Sequence, residues 1–314
     1  MMKQLFACAV LAIGSLVALS PLSAVAQVRQ PVGYFVMQEV GSQNIKDVKL
    51  ASPAFTGIVI RERWSSLNPA PGVYNWKFLD GQTARARRLG KAYILAIYTG
   101  NNAPLWLGVP LFKSAPLPWD SKMLAAHGQM VAMLGQRYGR DANLVGVELS
   151  GPTRGPSGSL EMHLADGLLQ HPSYRPENVA LAWMQCINQY GAAFPQCGLI
   201  SDGGIAPGGK DGSITQAVFN HLYQTYPMQA NVSHCALKAN TQESAPHHAI
   251  VVAMARRGCS VGFEMVGPSV AGVNGEGGPV ARFSGDFDSA LAIANRAGAS
   301  WLKIYQGDEF NAMD

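Results

Sequence analysis

Ser260-Val261-Gly262-Phe263-Glu264-Met265 is a short run in which bulky apolar residues alternate with small or acidic ones, and Leu144-Val145-Gly146-Val147-Glu148-Leu149-Ser150 repeats the pattern. Successive side chains on a strand point to opposite faces, so each run has one bulky face and one face carrying Gly and Glu. The bulky face suits burial under helices, and the small, acidic face suits the interior of a closed cylinder. Working outward, further strand-like runs occur at 33–37, 57–61, 92–98, 198–201, 229–233 and 301–305. Helix-compatible stretches separate them at 80–89, 121–138, 176–194, 214–226, 246–257 and 287–297. Strand and helix in alternation predict parallel βα units. Eight such units typically occupy ~250 residues, so residues 27–314 are expected to form one α/β domain, a (β/α)8 TIM barrel without linker or low-complexity insert. The chain stops nine residues after Tyr305, which predicts a missing or vestigial eighth helix. Its place falls to the N-terminal segment or to a second copy of the chain in a homodimer.

The rest of the composition agrees. Of 314 residues 48% are apolar and 14% charged, which excludes a disordered chain. The net charge of +4 is far from the clustered basic footprint of a nucleic-acid binder, and no nucleic-acid partner is expected. Met1-Met2-Lys3, an apolar run from 5 to 19, and Ser23-Ala24-Val25-Ala26 together read as a signal peptide over 1–26, cleaved before Gln27. The mature chain is then periplasmic or secreted and holds no membrane segment. That compartment is oxidising, so Cys186, Cys197, Cys235 and Cys259 are expected to form two disulfides, in any of three pairings. A Cys186–Cys197 bridge would contribute roughly 3 kcal/mol by closing a short loop. No Cys-x-x-Cys pair favours zinc instead.

The alternation places one carboxylate inside the barrel on strand four and one on strand seven, near the C-terminal ends where barrels keep their chemistry. Two carboxyl groups about 5 to 5.5 Å apart suit retaining glycoside hydrolysis, one attacking the anomeric carbon and the other protonating the leaving oxygen. Glu264 is the expected nucleophile, with Lys303 and Tyr305 on the inward face of the next strand. The acid/base is either Glu148 or Glu161, the latter in the loop Gly151-Pro-Thr-Arg-Gly-Pro-Ser-Gly-Ser-Leu-Glu161. A sugar also needs flat apolar surfaces beside polar groups. The residues expected to bind substrate are therefore Arg61, Trp64, Asn101, Asn102, Trp106, Asn231, His234, Lys303 and Tyr305, with Trp119 nearby. The glycine-rich stretch 267–278 lacks a phosphate-loop Lys and reads as a lid loop.

Other chemistries fit less well. No Gly-x-Ser-x-Gly occurs, which disfavours a serine hydrolase. Only His234 and Asp202 stand where a metal-dependent barrel hydrolase gathers its ligands, and no cofactor or metal is expected. Lys303 could serve a Schiff-base lyase, but no phosphate-binding loop accompanies it.

The stretch Gly57-Ile-Val-Ile-Arg61-Glu-Arg-Trp64-Ser-Ser-Leu-Asn-Pro69-Ala-Pro-Gly72-Val-Tyr74-Asn-Trp76-Lys-Phe-Leu-Asp80, with Gly90-Lys-Ala-Tyr-Ile-Leu and Ala103-Pro-Leu-Trp106-Leu after it, resembles the second and third βα units of clan A glycoside hydrolases, most nearly the family 42 β-galactosidases. The resemblance implies a retaining (β/α)8 glycosidase with its acid/base ending strand four and its nucleophile, matched here by Glu264, ending strand seven. Strand four departs from the clan's Asn-Glu ending: Gly151-Pro152 stands near the expected dipeptide and Glu148 falls about four residues early. That departure keeps open a non-catalytic carbohydrate-binding barrel as the rival reading.

Overall fold

Eight strands close on themselves. The computed structural model describes residues 27–43, 45–151, 167–203, 212–269, 283–305 and 308. In chain order the elements are β1 (Gly33–Met37), α1 (Asp47–Leu50), β2 (Gly57–Arg63), α2 (Trp64–Leu67), α3 (Lys77–Arg88), β3 (Ala92–Tyr98), α4 (Ser121–Tyr138), β4 (Leu144–Glu148), α5 (Pro176–Ala193), β5 (Gly198–Asp202), α6 (Ser213–Thr225), β6 (Ala230–Leu237), α7 (Pro246–Arg256), β7 (Ser260–Met265), α8 (Phe287–Arg296) and β8 (Trp301–Tyr305). Every barrel pair is parallel, and β8 pairs back onto β1 from Gly33–Trp301 to Met37–Tyr305, so the sheet is a closed (β/α)8 cylinder. A two-stranded hairpin, Leu111–Phe112 with Ala115–Pro116, lies between β3 and α4.

The local chemistry of the chain explains these boundaries. Asp120 and Asp286 cap α4 and α8 by accepting from the backbone N–H of Met123 and Ser289. Pro176 and Pro246 stand in the first turn of α5 and α7, where a missing N–H costs nothing. Outward strand residues such as Val147, Leu199, Val232, Val261 and Phe263 are fully or almost fully buried. Burial of each such side chain contributes about 1.5–3 kcal/mol. Phe263, for example, stacks on His248 of α7 with ring centroids 5.4 Å apart. On the inward side Gly262 faces Trp301 so closely that a Cβ there would lie 2.2 Å from the indole. Glycine at 262 therefore makes room for an aromatic plug inside the barrel.

Strand six differs from expectation. It begins at Ala230 and continues to Leu237, with a register irregularity between His234 and Leu237. The expected disulfides are also corrected: Cys186, Cys197, Cys235 and Cys259 are all thiols. Cys186 lies in mid-α5, its Sγ near Gly151 beyond the C-terminal end of β4, whereas Cys197 precedes the N-terminal end of β5. The seven helical steps from Cys186 to Ala193 rise about 10 Å, carrying the two thiols to opposite ends of the barrel wall.

The described part of the N-terminal segment packs at the bottom of the barrel. Arg29 donates to Leu144 O and Gly139 O, and its backbone pairs with Gln196 and Gly198. Gln30 receives the Asn231 amide and donates to Met228 O. Residues 29–30 thus strap the N-terminal ends of β4, β5 and β6, the floor of the cylinder. Residues 1–26 lie outside the described residues, as does all of the chain after Tyr305 except Asp308, so the expected eighth-helix gap falls there too. Asp308 is buried and accepts from Ser269 and from the Tyr305 backbone, tying the tops of β7 and β8. Among the described residues no helix is long and apolar enough to cross a membrane.

Candidate active site

Parity and register bring four charged side chains to one point. Glu148 and Asp202 are the last residues of β4 and β5, Glu264 is the penultimate residue of β7, and Lys303 is the central residue of β8, paired with Glu264 across the sheet. All four belong to the inward set of their strands. Lys303 Nζ lies 2.7 Å from Glu148 Oε1, 2.7 Å from Asp202 Oδ2 and 2.7 Å from Glu264 Oε2. The three carboxyl groups offer oxygens within 4.8 Å of one another. The Lys303 side chain is wholly buried, those of Glu148 and Asp202 are 2% exposed, and that of Glu264 is 19% exposed. Glu264 is thus the member open to a ligand.

Electrostatics separate these groups. Burial pushes the Glu148 carboxyl above the ordinary carboxylate range, and the nearby Lys303 offsets only part of that rise. Burial pushes Asp202 up to about 8 in the same way. Asp202 Oδ1 has no hydrogen-bond partner among the described residues, so an ionised carboxylate would be half-satisfied. Burial alone would lower the Lys303 ammonium, but Asp202, Glu148 and Glu264 together hold it well above the ordinary lysine value. Three carboxyls around one point are also the arrangement that could hold a metal ion. Here the lysine ammonium takes the central position, so the chain supplies its own cation.

Of the other residues expected to bind substrate, Arg61 reaches this cluster by its charge, which acts on Glu148. Its guanidinium donates to Gln38 O and to Tyr98 Oη, the latter at 3.1 Å. Tyr305 is on the inward face of β8, two residues beyond Lys303, and is 8% exposed. Asn101 is exposed in the 3-10 turn after β3, and Asn102 donates to Thr99 O from the same turn. Trp106 follows, half-buried, its indole N–H donating to Asn68 O at 2.8 Å.

Four assignments change. Lys303, expected to bind substrate, is wholly buried and commits its ammonium to Glu148, Asp202 and Glu264. Trp64 has no exposure and packs edge-on to His127 at 5.8 Å, which makes it a core residue. Asn231 points inward but at the floor, held by Gln30 and Gln229, because β6 starts one residue before it. His234 pairs in register with outward-facing Phe263 and stacks on His247 of α7 at 4.1 Å, so it faces the helical layer. Glu161 and residues 270–282, most of the expected lid loop, lie outside the described residues.

Asp202 is the member that the two-carboxylate reading did not include. Its signal was parity: Gly198, Ile200 and Asp202 form one face of β5, and that face is inward. The Arg-to-Asp stretch behind the family resemblance has largely structural duties. Tyr74 stacks on Trp76 at 5.1 Å, Arg137 lies over Trp76, and Asp80 accepts from Arg137 and Tyr138, joining α3 to α4.

Known structures share this architecture. A GH10 endoxylanase from a sugarcane soil metagenome aligns with 13% identity and a TM-score of 0.53, over 88% of this chain and 85% of that one. Xylanase 10B from Thermotoga petrophila, solved with xylobiose, aligns with 10% identity and a TM-score of 0.55, over 88% and 82%. The catalytic domain of the β-amylase from Paenibacillus polymyxa aligns with 10% identity and a TM-score of 0.57, over 90% and 94%. No protein-family model and no curated protein matches the chain. These likenesses rest on the barrel and do not bear on the resemblance to family 42. At this identity they establish one thing: the chain has the (β/α)8 fold on which these glycoside hydrolases are built.

Proposed function

We propose that the protein is a retaining glycoside hydrolase acting on an oligo- or polysaccharide, with Glu264 as nucleophile and Glu148 as acid/base. The observation that carries the reading is the meeting of carboxyls from opposite strands, β4 and β7, in one interior site where their surroundings differ. Glu148 is buried and favours its protonated form, whereas Glu264 is partly open and lies against the Lys303 ammonium. Carboxyls in contrasting environments are the usual basis for dividing acid and nucleophile roles. In the first step a Glu264 oxygen bonds to the anomeric carbon, the glycosidic C–O bond breaks, and the Glu148 proton passes to the leaving oxygen. In the second, Glu148 takes a proton from water as that water displaces Glu264 and restores both groups. Arg61 and Tyr305, with Asn101, Asn102 and Trp106 on the loops after β3, are the groups this reading assigns to the sugar. Export through a signal peptide over 1–26, to the periplasm or beyond, belongs to the same proposal.

The closeness of Lys303 to both glutamates favours a second reading, a barrel that binds carbohydrate without cleaving it, because both carboxyls are already engaged by one internal ammonium. A panel of aryl glycosides and polysaccharides separates the two. Turnover by the wild-type chain that disappears in Glu264→Gln supports the enzyme. Saturable sugar binding in calorimetry with no product on long incubation supports the binding barrel. Full turnover in Glu264→Gln rejects the nucleophile assignment.

A further inference from the structure

Two glutamates suffice for the proposed chemistry, yet the barrel brings a third carboxyl, Asp202, to the same lysine at the same 2.7 Å distance. The charged groups that meet here are Glu148 from β4, Asp202 from β5, Glu264 from β7, Lys303 from β8 and, acting on Glu148, Arg61 from β2; the phenol of Tyr190 on α5, kept neutral by burial, is also within electrostatic reach of Glu148. The strands between them contribute no charge at this level: Phe35 of β1 pairs with Lys303, Ala96 of β3 with Glu148, and Ser233 of β6 with Asp202. With every group ionised the site carries one excess negative charge in a place almost closed to solvent. A buried site resists an uncompensated charge and takes up a proton instead.

We propose that Asp202 is a positioning residue that shares this one proton with Glu148 across Lys303, and thereby sets the pH above which the acid is lost. Asp202 itself does not touch the sugar; it acts through Glu148. Lys303 bonds to an oxygen of each, so whichever carboxyl holds the proton leaves the ammonium to the other, and the two titrate as a pair. Burial that raises both carboxyls is consistent with that pairing. Removing the Asp202 charge changes the count. In Asp202→Asn, loss of the last carboxyl proton leaves a neutral site, whereas in the wild type it leaves a negative one. The last proton therefore departs at lower pH in the variant.

The inference rests on the glycosidase reading for its effect on rate, but not for its effect on titration, and the experiment uses both. Carboxyl-labelled wild-type protein is titrated by 13C NMR, with Asp202→Asn to identify one resonance and Glu148→Gln the other. The expected result is one Asp and one Glu carboxyl moving with a common midpoint above the ordinary carboxyl range, and a midpoint at least about one pH unit lower for Glu148 in Asp202→Asn. Independent midpoints in the wild type, or an unchanged Glu148 midpoint in the variant, overturn the proposal. If Asp202→Asn does not fold, Asp202→Ser takes its place, and the common midpoint in the wild type remains decisive. On any glycoside that is cleaved, the basic limb of kcat/KM moves down by the same amount in the variant while KM is kept. A purely structural Asp202 would lower the rate at all pH values and leave the limb in place. A wild-type chain that cleaves no glycoside rejects the glycosidase reading and leaves the NMR titration to decide this one.

Discussion

Replacing Lys303 by Met keeps most of the side-chain volume and removes the only positive charge inside the carboxyl triad. Three carboxyl groups with oxygens within 4.8 Å then face one another without the ammonium between them, and Arg61 acts on Glu148 alone. At an effective dielectric constant near 20, two unit charges at that separation repel by about 3.5 kcal/mol, enough to hold back ionisation by roughly 2.5 pH units. The variant relieves this by keeping protons. Each retained proton makes the folded protein bind more protons than the unfolded chain, so stability is lost as pH rises from the ordinary carboxyl range near 4 through the raised folded values. Removing one partner of a buried pair generally costs about 3–5 kcal/mol. Lys303→Met should therefore be destabilised by that much at pH 8 and by much less at pH 3, where the carboxyls are largely neutral in folded and unfolded chains alike. Urea unfolding of the wild type and the variant at the two pH values measures the difference. An equal loss of stability at both would mean that Lys303 fills space and does not balance charge.

Other parts of the barrel yield sharper single tests. His127 is fully buried between Gln189 and Ser150, and burial holds its imidazole down at about 4. A base lowered in the folded state contributes stability that is present above its ordinary value near 6.5 and is lost as pH falls toward 4, about 3 kcal/mol in all. His127→Gln should abolish most of that slope between pH 6.5 and 4 in denaturant titrations, and an unchanged slope would place the titrating group elsewhere. Gly262→Ala should lower the thermal midpoint by several degrees or prevent folding, because its Cβ would lie 2.2 Å from the Trp301 ring. A midpoint within a degree of the wild type would show that the interior accommodates the methyl group without loss.

Much of the barrel is legible in the chain because its strands state two things at once. The alternation in 144–148 and 260–265 defines both a strand and the face that turns inward, so Glu148 and Glu264 could be placed together before any coordinates. The same reasoning extends to Asp202, whose parity matches Gly198 and Ile200, but a single acid at the end of a short apolar run looks like a strand terminus. Asn231 and His234 show where the reading fails. Asn231 is the middle residue of the run assigned to 229–233 and His234 follows it directly, and both were assigned to the sugar. The strand continues to Leu237 through an irregularity that the residue types do not signal. That extension lowers Asn231 to the floor and, by parity, turns His234 outward. Trp64 misled for another reason: an indole just beyond a strand end suits a sugar and suits a packed core equally well, and only its neighbour His127 decides the matter. The cysteines were read from a presumed compartment, whereas a helix between Cys186 and Cys197 keeps them apart.

The strap across the barrel floor has a practical consequence for handling the molecule. Arg29 and Gln30 grip the strand starts, so a tag, linker or fusion partner joined at Gln27 departs from the side opposite the carboxyl cluster. Immobilising the protein through that end would turn the C-terminal ends of its strands toward the medium.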